Sequence, residues 1–414
     1  MSRAVLILFL FTLPVSLISQ FRHMHYNLTL YGNPFSCDEN NNNTDAKDAA
    51  LDVIIDYAQP DLFTVNELRD GNLWANRILN NVLNDDSELW ARASLTGQFT
   101  SSSILNGLFY RSDKFFLESQ ETVHLDLDGG LLLRPIDIYN LYLMDEGLFS
   151  GDTTRFSCAV AHLAASDEQE RSDQTEAFVS RIEELGPGNY IFSGDLNIDS
   201  AFEEAFQNLV SHPNDMISFI DPITISPNWN NNPSIAQYHT QSTRFSDTNA
   251  GCFSGGGLDD RFDITLLSQS ILEGSDGISF ISDSYLVLGQ NGNDYNQELQ
   301  TFNNGAVPDE VATALYDMSD HLPVLTEFNT EFILSAEQGA FEIPFEIFIQ
   351  EQSISVSFSR QDDYQVELFD ISGKLVKSRT SLGDGLRLET PSGGIYILRV
   401  SNKAAVGIKK ILVN

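Results

Sequence analysis

Short apolar runs alternate with amphipathic stretches up to about residue 330 of the chain. Runs typical of β-strands, most of them beside a polar side chain, occupy residues 21–31, 61–68, 108–111, 158–163, 190–193 and 260–267. Apolar residues at helical spacing occupy residues 45–57, 73–83 and 172–185, and the last stretch is followed by Gly186-Pro187, which ends a helix. Since strands and helices alternate, the sequence predicts an α/β fold with two packed β-sheets flanked by helices.

The pattern changes after about residue 330. From Ile354 onward, short strand-like runs are separated by turns that contain glycine. Short strands at even spacing are typical of a small all-β sandwich. This region carries no convincing cluster of acids, histidines or cysteines. We therefore expect a catalytic domain at residues 20–330 and a non-catalytic domain at residues 331–414.

Two short motifs carry the clearest chemistry, SGDLN at residues 193–197 and SDHLP at residues 319–323. Hydrolysis of a phosphate ester needs a carboxylate to activate water, a divalent cation to neutralise charge, and a donor to the phosphate oxygens. Asp195 can activate the water, and Asn197 can orient it without adding charge. Asp320 can hold a hard cation, and His321 can donate to a phosphate oxygen. The motifs predict a metal-dependent site that cleaves phosphodiesters.

Further polar side chains stand in or beside the predicted strands. Asn27 lies in the first run and Glu67 lies at the end of the second. Tyr110 and His162 belong to later runs. A β-rich scaffold builds an active site from side chains gathered at distant strand ends, so their order along the chain supports a single site.

The histidines divide into two groups. Asp263 lies in an apolar strand, where a carboxylate needs a partner, and we predict that it pairs with His321. His162 has a competing interpretation as a satisfied core histidine. The remaining histidines lack support from a motif and are expected to be structural or on the surface: His23, His25, His124, His212 and His239.

With these residues in this order, the chain resembles the endonuclease/exonuclease/phosphatase family, which includes deoxyribonuclease I, apurinic endonucleases, bacterial sphingomyelinases and inositol-polyphosphate phosphatases. The resemblance covers about residues 20–330 and implies a deoxyribonuclease I-like four-layer sandwich that binds Mg²⁺, or Mn²⁺ or Ca²⁺. The implied site residues are Asn27, Glu67 and Asp320 at the metal, Tyr110 and Arg111 facing the phosphate, His162 near the leaving group, Asp195 and Asn197 as the water-activating pair, Asp263 as the late-strand acid, and His321 as the phosphate-facing histidine.

Two positions depart from the family pattern. No acidic residue stands two positions after Asn27, which leaves a second metal carboxylate from that strand without a candidate. Asn66 stands where the family usually has glutamine. This change is chemically conservative, but the shorter side chain can shift Glu67.

Both ends of the chain indicate export. Arg3 precedes an apolar run from Ala4 to Ile18, which is typical of a secretory signal at residues 1–19 with cleavage before Gln20. The C-terminal region resembles the sorting domain (type A) of type IX secretion substrates in Bacteroidetes, on the motifs Gly373-Lys374, Gly394-Ile395-Tyr396 and Lys409-Lys410. The resemblance implies the type IX secretion machinery as a partner and a secreted or cell-surface protein. An accessory sandwich that binds carbohydrate or a surface is the alternative.

The chain is strongly acidic. Its 59 acidic and 23 basic residues give a formal net charge of −36. Tight binding of nucleic acid needs basic patches, so we expect no stable nucleic-acid complex. The sequence shows no later segment of membrane-spanning length, and a monomer is expected. Of the three cysteines, Cys158 is expected to be buried in a strand, and a Cys37–Cys252 bridge is allowed but required by no spacing rule.

Together these features predict a secreted, divalent-metal-dependent phosphoesterase, with an extracellular endonuclease as the first expectation. A sphingomyelinase-like lipid phosphodiesterase or a phosphomonoesterase is the alternative, since Trp229 lies in a predicted loop where an aromatic side chain could contact a membrane. An inactive surface-binding module on the same fold is an alternative of another class.

Overall fold

The computed structural model describes residues 17–35, 37–85, 89–144, 153–332, 345–350, 353–370, 375–389, 393–402 and 406–413. Most of the predicted signal segment and the predicted Gly373-Lys374 turn lie outside the described residues. The chain divides into two units, Ile18–Phe332 and a second unit that contains the strands from residue 345 onward. No helix in the described part of the chain is both long enough and apolar enough to cross a bilayer.

The first sheet of the larger unit has the strand order β11-β13-β1-β2-β4-β3, with β12 also paired to β13. Strands β1 and β2 run parallel, and β4 runs antiparallel to β2. The bounds are β1 (Leu17–Tyr31), β2 (Leu62–Arg69), β3 (Trp90–Arg92), β4 (Ile104–Arg111), β11 (Ile278–Phe280), β12 (Leu286–Val287) and β13 (Val324–Phe332).

The second sheet has the order β5-β6-β7-β8-β10-β9. Strands β7 and β8 are parallel, whereas β6 is antiparallel to β7 and β10 is antiparallel to β8. The bounds are β5 (Phe115–Leu125), β6 (Leu131–Leu143), β7 (Arg155–His162), β8 (Tyr190–Asp195), β9 (Phe219–Ile220) and β10 (Asp263–Ser268).

Helices connect these strands. They are α1 (Thr44–Ala58), α2 (Asn72–Ile78, continued by a π-helical turn Leu79–Leu83), α3 (Glu168–Leu185), α4 (Glu204–Val210), α5 (Gln269–Glu273) and α6 (Asp309–Met318), with 3₁₀ turns at Gly97–Phe99, Pro233–Tyr238 and Asn249–Gly251. Helix α3 begins four residues before its predicted start. The reason is Asp167, whose carboxylate accepts hydrogen bonds from the backbone N–H groups of Gln169 and Glu170 and so caps the helix.

Three buried clusters define the layers. Between the sheets, Phe21 and Leu108 of the first sheet pack in one cluster with Cys158 and Ile191 of the second. The outer face of the first sheet packs against α1 and α6, and the outer face of the second packs against α3. Two packed sheets flanked by helices are therefore confirmed, as is the burial of Cys158 in a core strand.

The C-terminal unit is built from strands: β14 (Phe345–Gln350), β15 (Ser353–Asp370), β16 (Leu375–Glu389), β17 (Gly394–Ser401) and β18 (Val406–Val413). Strand β15 pairs with β14 through its first half and with β17 through its second half. A register shift in the β15–β16 ladder falls between these halves. Because side chains from both halves share one buried cluster, the long strands fold over into the predicted small all-β sandwich.

A disulfide joins Cys37 and Cys252, two loop residues of the larger unit separated by 215 positions. Next to Cys252 lies Phe253, whose ring contacts the charged groups of Lys47 and Arg244. The bridge that the sequence allowed is therefore present, and it fastens the 248–256 segment to the end of β1.

Gly194 lies where β7 and β8 approach most closely. A Cβ atom at this position would stand 2.0 Å from the carbonyl oxygen of Ala161, its partner in the parallel ladder. Backbone cannot move aside as a flexible side-chain end can, so only glycine fits between these strands.

We predict that Gly194→Ala destabilises the larger unit by about 1–3 kcal/mol, because the added methyl group forces β7 and β8 apart. Urea unfolding followed by tryptophan fluorescence measures this, since Trp74, Trp90 and Trp229 all lie in that unit. Gly188→Ala is the matched control: its Cβ would meet only the Tyr190 ring at 3.3 Å. Equal stability of the two variants would contradict the packing argument.

Candidate active site

The two sheets bring their polar strand ends to one edge of the larger unit. Strands β1 and β2 end there in the first sheet, and β7 and β8 end there in the second. His162 lies opposite Asp195 in the β7–β8 ladder, and Asp195 lies opposite Asp263 in the β8–β10 ladder. This register places an imidazole and two carboxylates side by side at adjacent strand ends.

Breaks in the strand register of β1 and β2 direct Glu67 toward the site. The β1–β2 register breaks between Asn27 and Tyr31, and the β2–β4 register breaks at the same level. Thr29, Leu30 and Glu67 adopt left-handed backbone conformations there, with φ of 43°, 54° and 57°. Bulges re-aim side chains, and this one lets the Leu30 N–H donate to Glu67 Oε2 at 2.9 Å.

Glu67, His162 and Asp195 form a close triad. His162 Nε2 lies 3.4 Å from Asp195 Oδ2 and 3.9 Å from Glu67 Oε1. One potential ligand atom from each side chain lies within 4.8 Å of the other two. Asn27 Nδ2 donates to Asp195 Oδ2 at 2.9 Å and approaches Glu67 Oε1 at 3.4 Å, so it holds the two carboxylates together.

A relay of amide side chains fixes the backbone of Asp195. The Asp195 N–H donates to Asn66 Oδ1 at 2.9 Å, and Asn66 Nδ2 donates to Asn106 Oδ1 at 2.8 Å. Asn106 Nδ2 in turn donates to Asp137 Oδ2 at 3.1 Å. All four side chains are buried, so the relay sets the position of the Asp195 strand end from within the core.

His321 is oriented by Asp263, as the sequence predicted. Its Nδ1 donates to Asp263 Oδ2 at 2.7 Å, and both side chains are buried. Its Nε2 faces the site, 3.8 Å from Asp195 Oδ2 and 2.8 Å from Gln241 Nε2. An amide group can turn either its nitrogen or its oxygen toward this ring atom, so Gln241 can serve both protonation states of His321.

Burial and mutual repulsion set the protonation of the site. Burial raises the pKa of Asp195 to about 7 against the opposing charge of His321. Burial and the charge of Asp320 raise the pKa of Glu67. Burial alone would lower the pKa of His321, but Asp263 and the neighbouring carboxylates outweigh it and raise that pKa well above its ordinary value.

His162 is driven in the opposite direction. Burial lowers its pKa well below the ordinary value, and the charge of Arg134 lowers it further. The imidazole is therefore neutral at physiological pH and keeps a lone pair available. A neutral imidazole beside two carboxylates that are costly to ionise without a counter-charge is a donor set that fits a divalent cation.

Two predicted metal residues are engaged differently in the structure. Asn27 turns its Nδ2 to the carboxylates, because its Oδ1 accepts a hydrogen bond from the Thr29 N–H at 3.0 Å. Asp320 accepts from the Thr29 hydroxyl through Oδ1 and from the Ser254 N–H at 2.7 Å through Oδ2. Both residues lie at the site with their oxygens hydrogen-bonded to protein donors, and their assignment as metal ligands stays a prediction.

Tyr110 and Arg111 are not brought to the site, and this corrects the prediction that they face the phosphate. Tyr110 pairs with Leu62, at the opposite end of β2 from Glu67 and about 16 Å away at about 3.3 Å per residue. Arg111 forms an ion pair with Asp113 at 2.9 Å. Because β4 runs antiparallel to β2, the first residues of β4, not the last, approach the site.

Trp229 is also placed differently from the prediction. Only 1% of the side chain is exposed, and the indole packs edge-on against Phe206 with the Arg261 guanidinium 4.9 Å from the ring centroid. A loop position in the sequence does not reveal burial, because a neighbouring helix can cover it. Trp229 therefore cannot act as a membrane-contacting side chain in this structure.

Several residues of the site were missed by the sequence argument. Asn106, Arg134 and Gln241 belong to no motif, although all three lie at or next to the site. Asn197, which was predicted, donates through Nδ2 to the Leu163 carbonyl, and its N–H donates to Asp195 Oδ1 at 3.2 Å. Asn106 stands at the start of a strand, and that position was the one available signal.

Comparison with known proteins agrees with the sequence at the C-terminus. Residues 350–414 match the family model described as the secretion system C-terminal sorting domain. The C-terminal part is thus similar to a sorting domain. This match confirms the predicted resemblance of that region. No curated protein matches the chain.

Several solved structures are similar to the chain at low sequence identity. An endonuclease/exonuclease/phosphatase family protein from Bacteroides thetaiotaomicron is 14% identical, with 76% of this chain and 100% of that chain covered at a TM-score of 0.47. A mannosyl-6-phosphatase from the same organism is 15% identical. The match covers 74% of this chain and 99% of that chain at a TM-score of 0.45. The human nocturnin catalytic domain is 13% identical. The match covers 76% of this chain and 97% of that chain at a TM-score of 0.44. Similarity at this level does not extend to activity.

The buried carboxyl group of Asp137 is expected to make the stability of the protein depend on pH. Burial raises its pKa to about 6, whereas an unfolded aspartate titrates near about 3.9. Between these values the folded protein binds more protons than the unfolded chain, so this group makes stability fall as pH rises from about 4 to about 6. We predict that Asp137→Asn reduces the stability lost between pH 4.5 and pH 7.5 by about 2 kcal/mol.

Urea unfolding at the two pH values measures this difference. The exposed Asp56, changed to asparagine, is the matched control and should leave the difference at its wild-type value. A wild-type pH dependence in Asp137→Asn would contradict the assigned titration.

Proposed function

We propose that the chain is an exported, divalent-metal-dependent phosphoesterase that hydrolyses phosphodiester bonds. The observation that carries the proposal is the triad of Glu67, His162 and Asp195 next to a histidine held by a buried carboxylate. Phosphodiester hydrolysis needs a base, a cation site and a positive donor within one small volume. Binding alone needs none of these, so the combination favours an enzyme over an inactive surface module.

The residues divide the work by their protonation. Asp195 Oδ2 faces His162, so the other carboxylate oxygen would accept a proton from the attacking water. His321 carries a positive charge that Asp263 stabilises, and its Nε2 can donate to a phosphate oxygen. Asn27 Nδ2 and Asn197, on either side of Asp195, orient the attacking water and the carboxylate.

Glu67, His162 and Asp195 would hold the cation. A divalent ion at this position would polarise the phosphate group and neutralise the charge that develops during attack. Two carboxylates suit Mg²⁺ or Mn²⁺, and the imidazole nitrogen favours Mn²⁺ of the two. Glu67 contributes Oε1, since its other oxygen is bound by the Leu30 N–H.

Export is proposed from the C-terminal match together with the apolar N-terminal segment. A signal at residues 1–19 would direct the chain across the inner membrane, and the domain at residues 331–414 would direct it through the type IX machinery. The catalytic domain at residues 20–330 would then act outside the cell. The sandwich carries no part of the proposed site, so its removal after export would leave the active site complete.

Among phosphodiesters, nucleic acid and phospholipid headgroups are the candidates to compare. The net charge of −36 opposes a nucleic-acid chain, and the burial of Trp229 removes the one aromatic argument for a membrane. The decisive test is a panel of bis-p-nitrophenyl phosphate, plasmid DNA and sphingomyelin, each with Mg²⁺, with Mn²⁺ and with EDTA.

We predict metal-dependent hydrolysis of bis-p-nitrophenyl phosphate that EDTA abolishes. Asp195→Ala combined with His321→Ala should lower kcat/KM by at least about 10³-fold, because the base and the positive donor are both lost. His212→Ala is the matched control, since this partly exposed histidine contacts only its own loop. Turnover in the double variant at the wild-type rate, or no turnover by the wild type on any of the three substrates, would overturn the proposal.

A further inference from the structure

A cavity of about 650 Å³ opens beside the candidate active site. Two segments form most of its wall, the 98–101 loop that precedes β4 and the start of β6 at Leu131–Leu133. His124 from β5 and Glu170 from α3 complete the lining that matters here. We call this the side cavity.

The side cavity and the triad share one edge of the fold. Leu133 is followed by Arg134, whose Nη1 donates to the Leu163 carbonyl at 2.8 Å, one residue after His162. In the β6–β7 ladder Asp137 lies opposite Val160, and the same register continued places Leu133 two residues from the position opposite His162. The wall of the side cavity therefore lies next to the strand end that carries His162.

The wall of the side cavity mixes polar side chains with four apolar ones, and two of these are strongly exposed leucines. Leu131 is 74% exposed and Leu133 is 53% exposed, and Leu125, opposite Leu131 in the β5–β6 ladder, is also exposed. Across the opening, the Phe99 ring stacks on His124 with centroids 4.6 Å apart. Single exposed leucines are ordinary, but a group of them around a cavity marks a binding surface.

The charge of the lining opposes the binding of polyanionic ligands in the side cavity. None of the described residues that line the side cavity is a lysine or an arginine. Glu170 is the ionisable acid in the lining, and its Oε1 already accepts a hydrogen bond from the Leu133 N–H. Asp126 and Asp128 occupy the nearby β5–β6 turn. A second phosphate or a polyanionic chain would meet carboxylates there without a compensating cation.

We infer that the side cavity binds the organic group of the substrate, and that this group is uncharged and apolar, an alkyl chain or an aromatic ring. The inference rests on the proposed function, because it assumes that the phosphate lies at the triad. A cavity of this volume matches those that hold small organic groups. The leucines would supply contact area, and the Phe99–His124 pair would supply a flat surface.

Binding of simple phosphate esters tests the inference without relying on turnover. We predict that hexyl phosphate and phenyl phosphate bind at least about tenfold more tightly than methyl phosphate, measured by calorimetry on the full chain with Mn²⁺. A preference for the hexyl ester would indicate a lipid-like chain, and a preference for the phenyl ester would indicate a ring. Equal affinity for all three esters would overturn the inference.

A double variant tests whether Leu131 and Leu133 cause the preference for apolar esters. Leu131→Ser with Leu133→Ser should reduce the ratio of affinities to about one, because both exposed leucines lose their apolar contact. Leu185→Ser is the matched control: this partly exposed leucine lies at the far end of α3, about 22 Å from Glu170 at about 1.5 Å per residue. A ratio that persists in the double variant would place the apolar group elsewhere and overturn the inference.

Hydrolysis of bis-p-nitrophenyl phosphate by the wild type separates this inference from the proposed function. Metal-dependent hydrolysis without any preference among the three esters would refute the side cavity and leave the phosphoesterase standing. A preference that depends on Leu131 and Leu133, without hydrolysis, would support the side cavity and refute the phosphoesterase. Cleavage of plasmid DNA at wild-type rate by the double variant, with no ester preference in the wild type, would identify a nucleic-acid substrate instead.

Discussion

The cost of burying like charges governs the organisation of this molecule. Several carboxylates meet at one edge of the two sheets, and each would be strongly destabilising without compensation. Asp263 is compensated by the imidazole of His321, and Asp320 by the Thr29 hydroxyl and the Ser254 N–H. The irregular end of β1 supplies one of these donors, because it contains Thr29.

Glu67 and Asp195 are two carboxylates of this edge that remain costly to ionise. Glu67 accepts one backbone hydrogen bond, and Asp195 accepts from Asn27 and Asn197, all of them neutral donors. Burial is the main reason why both carboxylates have raised pKa values, and neutral donors offset it less than a nearby cation would. Both carboxylates lie at the proposed cation site, where a divalent ion would supply the missing positive charge.

The pairing of Asp263 with His321 could be predicted from the sequence, because it depends on a local pattern. Asp263 could be assigned to His321 from one argument, that an acid within an apolar strand needs a partner. Strand ends could not be assigned in the same way, because the direction of β4 decides which of its residues approaches the site. Tyr110 was chosen from the end of that strand, whereas Asn106 at its beginning joins the relay that fixes Asp195. Pairing direction is set by contacts between distant segments, which no local pattern records.

The acidity of the chain acquires a specific meaning beside the side cavity. A surface of high negative charge repels polyanions at long range, and one divalent ion at the triad can offset that repulsion only within a few ångströms. A substrate with one phosphate and an uncharged organic group meets the repulsion once, at the point where the cation would compensate it. A nucleic-acid chain meets it again at every neighbouring phosphate. The leucines around the cavity and the absence of lysine and arginine from its described lining therefore favour the same class of ester.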